Sequence, residues 1–207
     1  VTQLADAIGY DARIGRRFLN AGIGFGGGCL PKDIRGFVAR AEELGVGHSL
    51  AFLKSVDDIN LRRRRRVVDV LAEELGDLSG KTIAVWGISF KPDSDDIRDS
   101  PALDIAESLA RAGATVVSAD PEAWRSARAH IARAGLSGSL RTTADSRAAA
   151  TGADALVIAT EWKVFHEEDA ATIGDLMAQK LVVDGRNCLD AKLWKEAGFR
   201  YFGMGRS

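Results

Sequence analysis

Apolar residues follow two different rhythms along the chain. Up to about residue 75 they recur every three or four positions: Ile34, Phe37, Val38, Ala41 and Leu44, then Leu53, Val56, Val67, Val70 and Leu71. That spacing predicts one helix opened by Pro31 and closed at Gly45, and a second, longer one running from a Ser49 cap to about Leu75. Val1 to Ile8 also reads as helical. From Lys81 onward, short apolar runs alternate with amphipathic stretches. Strands are expected at Thr82 to Gly87, Thr115 to Ala119, Ala155 to Ala159 and Leu181 to Asp184, with helices at Ala102 to Ala112 and Glu122 to Ala134. Alternation of this kind is the signature of βαβ units and a parallel sheet. The expected architecture is α/β: a helical central segment over residues 1–78, then a parallel-sheet domain over 79–207, with the boundary among the Gly, Asp and Ser residues of Gly76 to Lys81.

Composition narrows the function classes. With 46% hydrophobic and 28% charged residues the chain is ordinary globular material, long enough for one domain and an additional element. The basic run Arg62 to Arg66 is flanked by Asp57, Asp58, Asp69, Glu73 and Glu74, and the formal net charge is -1, which argues against nucleic acid as a partner. No apolar stretch reaches the roughly 20 residues of a membrane span and no leader opens the chain, so a cytoplasmic protein with no membrane partner is expected. Two cysteines are too few for a disulfide framework, and His48, His130 and His166 are too scattered for a ligand motif, so free thiols and no metal are expected. Val1 to Ile8 has neither a methionine nor a cap ahead of it, so a piece of a longer protein is expected.

Candidate chemistry begins at Asn20 to Cys29, a glycine-dominated loop ending just before the Pro31 helix. A cysteine at a helix amino terminus, with Lys32 adjacent, sits where the thiolate is favoured. The alternative is a small buried side chain, the usual fate of a free cysteine, and Cys188 is read that way. In a doubly wound sheet, ligands bind beyond the carboxyl ends of the strands. Three polar segments fall there: Ile88-Ser89-Phe90-Lys91-Pro92, Thr160-Glu161-Trp162 and Gly185-Arg186-Asn187. Lys91 and Arg186 would suit a diphosphate, although each alone could be a surface charge. A rival reading makes this sheet a dinucleotide site with Asp120 on a ribose. It lacks the G-x-G-x-x-G turn, because Gly87 is followed by Ile88, Ser89, Phe90 and Lys91, and no strand precedes Gly24 to Gly28.

Taken together, Arg13-Ile14-Gly15, Phe18-Leu19 and Gly24 through Asp33, then Phe90-Lys91-Pro92, Asp95 through Pro101, Thr160-Glu161-Trp162 and Asp184 through Asn187 resemble, in order, the UDP-glucose/GDP-mannose dehydrogenase family. The resemblance implies a Rossmann-like fold and a nucleotide sugar as partner. It implies NAD as cofactor and two successive oxidations of UDP-glucose to UDP-glucuronate through a thiohemiacetal and a thioester on Cys29. Asp33 would help activate the hydrolytic water. Arg13, Phe18, Leu19, Asn20, Phe25 and Gly26 would contact substrate, Arg13 in a neighbouring subunit; Phe90, Lys91 and Arg186 would also hold substrate, and Lys32 and Arg98 would contact NAD. A homodimer or higher homo-oligomer is implied. The family's dinucleotide fingerprint has no counterpart here, so the chain alone is expected to be inactive, a UDP-sugar-binding and dimerisation module. GDP-mannose or another nucleotide sugar is the alternative substrate, but Asp184 to Asn187 and the closing Tyr201 to Arg206 look more like the UDP-glucose branch.

Overall fold

The computed structural model describes residues 1–205; Arg206 and Ser207, the end of the closing segment singled out above, lie outside the described residues. Three helices come first: α1 (Thr2–Gly9), α2 (Leu30–Glu43) and α3 (Ala51–Leu75). Pro31 lies in the first turn of α2, where its missing N–H is harmless, and Gly45 follows the helix with φ of 73°. Ser49 does not cap α3. It lies in a 3-10 turn, Gly47–Leu50, where its N–H donates to the Val46 carbonyl at 3.0 Å, and α3 follows with Leu50 at the cap position and no side-chain cap. The tight turn out of Gly45 feeds directly into the helix. At 25 residues α3 is about 38 Å long.

The remainder alternates strands and helices: β1 (Thr82–Trp86), α4 (Pro101–Arg111), β2 (Thr115–Ala119), α5 (Trp124–Arg133), β3 (Leu140–Thr143), α6 (Ser146–Ala150), β4 (Ala155–Ile158), α7 (Lys163–His166), α8 (Ala170–Leu176), β5 (Leu181–Asp184), α9 (Ala191–Glu196) and β6 (Arg200–Gly203). All six strands are parallel in the order β3-β2-β1-β4-β5-β6. Helix caps follow the short polar residues ahead of each start: Ser100 for α4, Asp145 for α6, Asp169 for α8 and Asp190 for α9.

Side-chain alternation sorts the central strands into two cores. Ile83, Val85, Val157 and Val183 face one layer, packed on α4, α5 and the end of α3 through Val67, Val70 and Leu71. Ala84, Trp86, Leu156, Ile158 and Val182 face the other, under Phe165, Ile173 and Trp194. Trp86 stacks on Phe165 with ring centroids 5.1 Å apart and meets Trp194 edge-on. The edge strands β3 and β6 were not predicted. Leu140 is the one fully buried residue of β3 and β6 has none, so neither shows the apolar run that marks an interior strand.

Candidate functional site at the carboxyl edge of the sheet

Because β1, β4 and β5 are adjacent and parallel, the three polar segments singled out in the sequence open at one edge. The turn after β1 is stapled from below. Asp120, at the end of β2 and fully buried, accepts from the Ile88 and Ser89 N–H groups (2.8 and 2.9 Å), Ser89 Oγ (2.8 Å) and Trp162 Nε1 (3.2 Å) through one oxygen. Its other oxygen accepts from the N–H groups of Glu122 and Ala123. A carboxylate so engaged has no capacity left for a ribose hydroxyl, and Gly87 is packed against Thr160, where a side chain would meet the Thr160 amide nitrogen. The turn therefore does not fit a dinucleotide.

The glycine loop lies across this edge. The Ile23 N–H donates to Gly185 O at 2.9 Å and its side chain is fully buried in the sheet core. Arg186 reaches from β5 to Ala159 O through Nε (2.8 Å) and to Gly24 O through Nη1 (3.0 Å), with Glu161 at 3.2 Å. Burial lowers its pKa, with Glu161 opposing, yet a guanidinium stays charged at any ordinary pH. Nη1 thus fastens the loop while Nε ties the same side chain to the end of β4, a structural role that the diphosphate reading did not include. Asn187 holds Ala21 and Met204 in the same region. Farther along, the Gly27 N–H donates to Arg98 O at 3.0 Å. A Cβ at Gly27 would meet the Phe90 ring at 2.7 Å and one at Gly28 the Arg98 guanidinium at 2.5 Å, so the glycines are where the loop touches the segment after β1.

This loop delivers Cys29 to the amino terminus of α2, exposed and without a side-chain cap bond. Arg98 is gripped by Asp96 through Nε (2.9 Å) and Nη2 (2.7 Å); the Asp96 bond and charge raise its pKa, and Cys29 adds to that. Asp33 lies one turn along α2, its N–H donating to Cys29 O at 2.9 Å, and its carboxylate pairs with Lys32 at 3.0 Å. Lys91 lies over the Phe90 ring, 5.5 Å from its centroid. Phe25, Gly26, Cys29, Phe90, Arg98 and Arg186 are thereby gathered around one loop. Arg13, Phe18, Leu19 and Asn20 belong to the stretch before it. Arg13 is 88% exposed and bound only by Asp11 among the described residues, Phe18 is fully exposed with φ of 64°, and Asn20 accepts from Arg16 at 2.8 Å. Cys188 is half-buried beside Asp184, and burial first, then that charge, pushes its thiol pKa well up, which fits a packing role.

Sequence reasoning assigns no site role to Asn60 or Arg64, and Asp99 enters it only as part of the Asp95 to Pro101 motif. Asn60 accepts from the Phe25 N–H (2.8 Å) and donates to Phe25 O (2.9 Å), and Arg64, 5% exposed inside the run Arg62 to Arg66, donates to the same carbonyl at 2.9 Å and to Asp99 at 2.7 Å. A signal was present: Asn60, Arg64, Val67 and Leu71 lie on one stripe of α3, at the spacing of a buried face. Asp99 also accepts from Arg35 at 2.6 Å, and Arg35 forks onto Asp57. At the segment after β1, a cleft of about 420 Å³ is lined by Asp93, Ser94, Asp95, Glu122 and Trp162. Among the described residues, no helix is long and apolar enough to cross a membrane and no group of three potential ligands could hold a metal.

Two family models match the chain: the UDP-glucose/GDP-mannose dehydrogenase family central domain over residues 1–62 and the UDP binding domain of the same family over 84–191. The UDP-glucose 6-dehydrogenase of Pseudomonas aeruginosa is 40% identical over 200 residues, 96% of this chain and 44% of that protein. UDP-glucose 6-dehydrogenase TuaD of Bacillus subtilis is 36% identical over 206 residues, all of this chain and 43% of its own length. Among solved structures, a UDP-glucose dehydrogenase from the hyperthermophilic archaeon Pyrobaculum islandicum superposes with a TM-score of 0.83 at 35% identity, covering 100% of this chain and 44% of that one. The chain thus spans less than half the length of the relatives it matches.

Proposed function

We propose, from the premise that the chain belongs to the UDP-glucose/GDP-mannose dehydrogenase family, that it carries the nucleophile and the sugar-nucleotide-binding sheet of an NAD-dependent UDP-glucose 6-dehydrogenase. The supporting observation is the placement of Cys29: an exposed thiol at a helix amino terminus, on a loop laid across the carboxyl edge of a parallel sheet, with Arg98 beside it. That edge is where a doubly wound sheet receives a nucleotide.

In this reading the Cys29 thiolate adds to the C6 aldehyde, forming a carbon–sulfur bond and holding the aldehyde in the site. The thiohemiacetal is oxidised to a thioester, water adds to the carbonyl, and the carbon–sulfur bond breaks to release the acid and return the thiol. Asp33, one turn from Cys29, accepts the proton of that water. Phe25, Gly26 and Phe90 bound the sugar, while Lys91 and Arg186 supply the positive charge for the diphosphate. NAD, when bound, supplies the acceptor for both hydrides. The turn after β1 does not fit it, and only Lys32 and Arg98, exposed on the Cys29 side, fit peripheral contacts to it. The apolar residues exposed on α2 and α3, Phe37, Phe52, Val56 and Ile59, suit a homodimer interface.

The test is NADH formation by the intact protein with UDP-glucose, alongside calorimetric titration with UDP-glucose, UDP-galactose, UDP-N-acetylglucosamine and GDP-mannose. UDP-glucose is expected to bind and be oxidised, and Cys29→Ser to lower turnover by about a thousandfold or more, since a hydroxyl here cannot match a thiolate. Preference for GDP-mannose would replace the substrate, and unchanged turnover by Cys29→Ser would remove the cysteine from the reaction.

A further inference from the structure

Phe25 and Cys29 are separated by three glycines, a stretch with little conformational preference of its own. The loop must therefore be fixed from outside. On its sheet side Arg186 and Gly185 fasten residues 23 and 24, and on its far side Arg98 O receives the Gly27 N–H. Between these, the one residue held by side chains at both its amide and its carbonyl is Phe25, and both side chains come from α3. Asn60 is 3% exposed and presents its amide in matched orientation, acceptor to N–H and donor to carbonyl. Arg64 links that carbonyl to Asp99, the residue after Arg98, and Asp99 passes the connection to Arg35 on α2 itself. The helix that Cys29 begins and the segment that carries Arg98 are thus tied to Phe25 through Arg64, and Asn60 fixes Phe25 beside it. Arg64 Nε is buried without a partner, a cost that a purely packing residue would have avoided.

We infer that Asn60 and Arg64 are positioning residues for Cys29: they set the loop so that the thiol sits at the start of α2 and beside Arg98. The inference rests on the reading of Cys29 as nucleophile, but its first readout does not need turnover. Thiol alkylation follows thiolate fraction and access, and the half-buried Cys188, whose thiol burial holds protonated, serves as the internal reference.

The experiment compares the intact protein with Asn60→Asp, which keeps the acceptor and the shape but sets a carboxylate against Phe25 O, and with Arg64→Lys, which keeps the charge. Alkylation of Cys29 by iodoacetamide, read by mass spectrometry at neutral pH, is expected to slow about threefold or more in each variant while Cys188 stays unlabelled. In the NADH assay, kcat is expected to fall about tenfold or more with KM moving much less, as for a misplaced reacting group. Folded variants with wild-type Cys29 alkylation would overturn the inference. So would loss of folding in both, which would make the pair core residues. If Cys29→Ser keeps full turnover while the alkylation change is present, the functional reading fails and the positioning role stands.

Discussion

The helices before residue 76 and the sheet after it handle apolar side chains in opposite ways. In β1, β4 and β5 every strand residue but Thr82 is buried, shared between two layers of helices. In α1 to α3, Leu4, Ile8, Phe37, Phe52 and Ile59 are exposed, and the buried residues of α3 cluster towards its second half. The sheet carries its own core, whereas the helical region buries few apolar side chains of its own, among them Ala5, Val38 and Ala41. Reactive chemistry is distributed the same way: the accessible thiol is on the helical side, and the sheet's cysteine is shielded.

The contrast should appear most strongly in thiol labelling. Under native conditions Cys29 is expected to react about a hundredfold faster than Cys188, whose thiol burial holds protonated. Equal rates without denaturant, measured by peptide mass spectrometry, would mean that the sheet opens far more readily than its packing indicates. A smaller effect separates the cores. Leu156→Ala, at a fully buried position of β4, should cost about 2–5 kcal/mol in denaturant unfolding. Phe52→Lys, 62% exposed on α3, should change the stability of a single chain by about 0.5 kcal/mol or less. If α3 is a dimer interface, the same substitution shifts sedimentation from dimer towards monomer; unaltered sedimentation of a dimeric protein would place the interface elsewhere.

The smallest effect concerns Asp99, where the two regions meet. Burial alone would raise its carboxyl, but the Arg64 bond and charge, followed by Arg35, outweigh burial and hold it below the ordinary value of 3.8. The folded state then binds this proton less readily than the unfolded chain. Its stabilisation is complete above the unfolded value and is lost as pH falls through the lower folded one. Asp99→Asn should therefore remove part of the acid-side slope of stability while leaving the neutral-to-alkaline side flat. An unchanged slope would show that Asp99 titrates alike in both states.

Much of this was legible in the chain. β2 and β5 fall on their expected bounds because each is a short, β-branched-rich run between polar or glycine turns, and Pro31 with Gly45 frames α2. The strand-end segments could be assigned to one edge from the alternation alone. What escaped depends on tertiary partners. β3 and β6 are edge strands that take their shape from a neighbour. Ser49 looks like a cap in isolation but is consumed by a turn. Arg64 vanished into a run of five arginines, since composition reports charge and not direction. The fastening role of Arg186 was hidden as well, because only the folded chain brings the Ala159 and Gly24 carbonyls to its guanidinium.

The contacts at Gly27 and Gly28 also bear on how this protein could be re-engineered. One partner of each contact comes from the helical side and the other from the segment after β1: the Phe90 ring against Gly27, and the Arg98 guanidinium against Gly28. A chimera that imports a relative's sheet with a bulkier residue at either place, or a relative's loop bearing side chains there, would join two surfaces shaped for different mates. Exchange of specificity between family members should therefore succeed when residues 22–28 and 88–101 travel as one cassette, and fail when the cut is made at the convenient seam after α3.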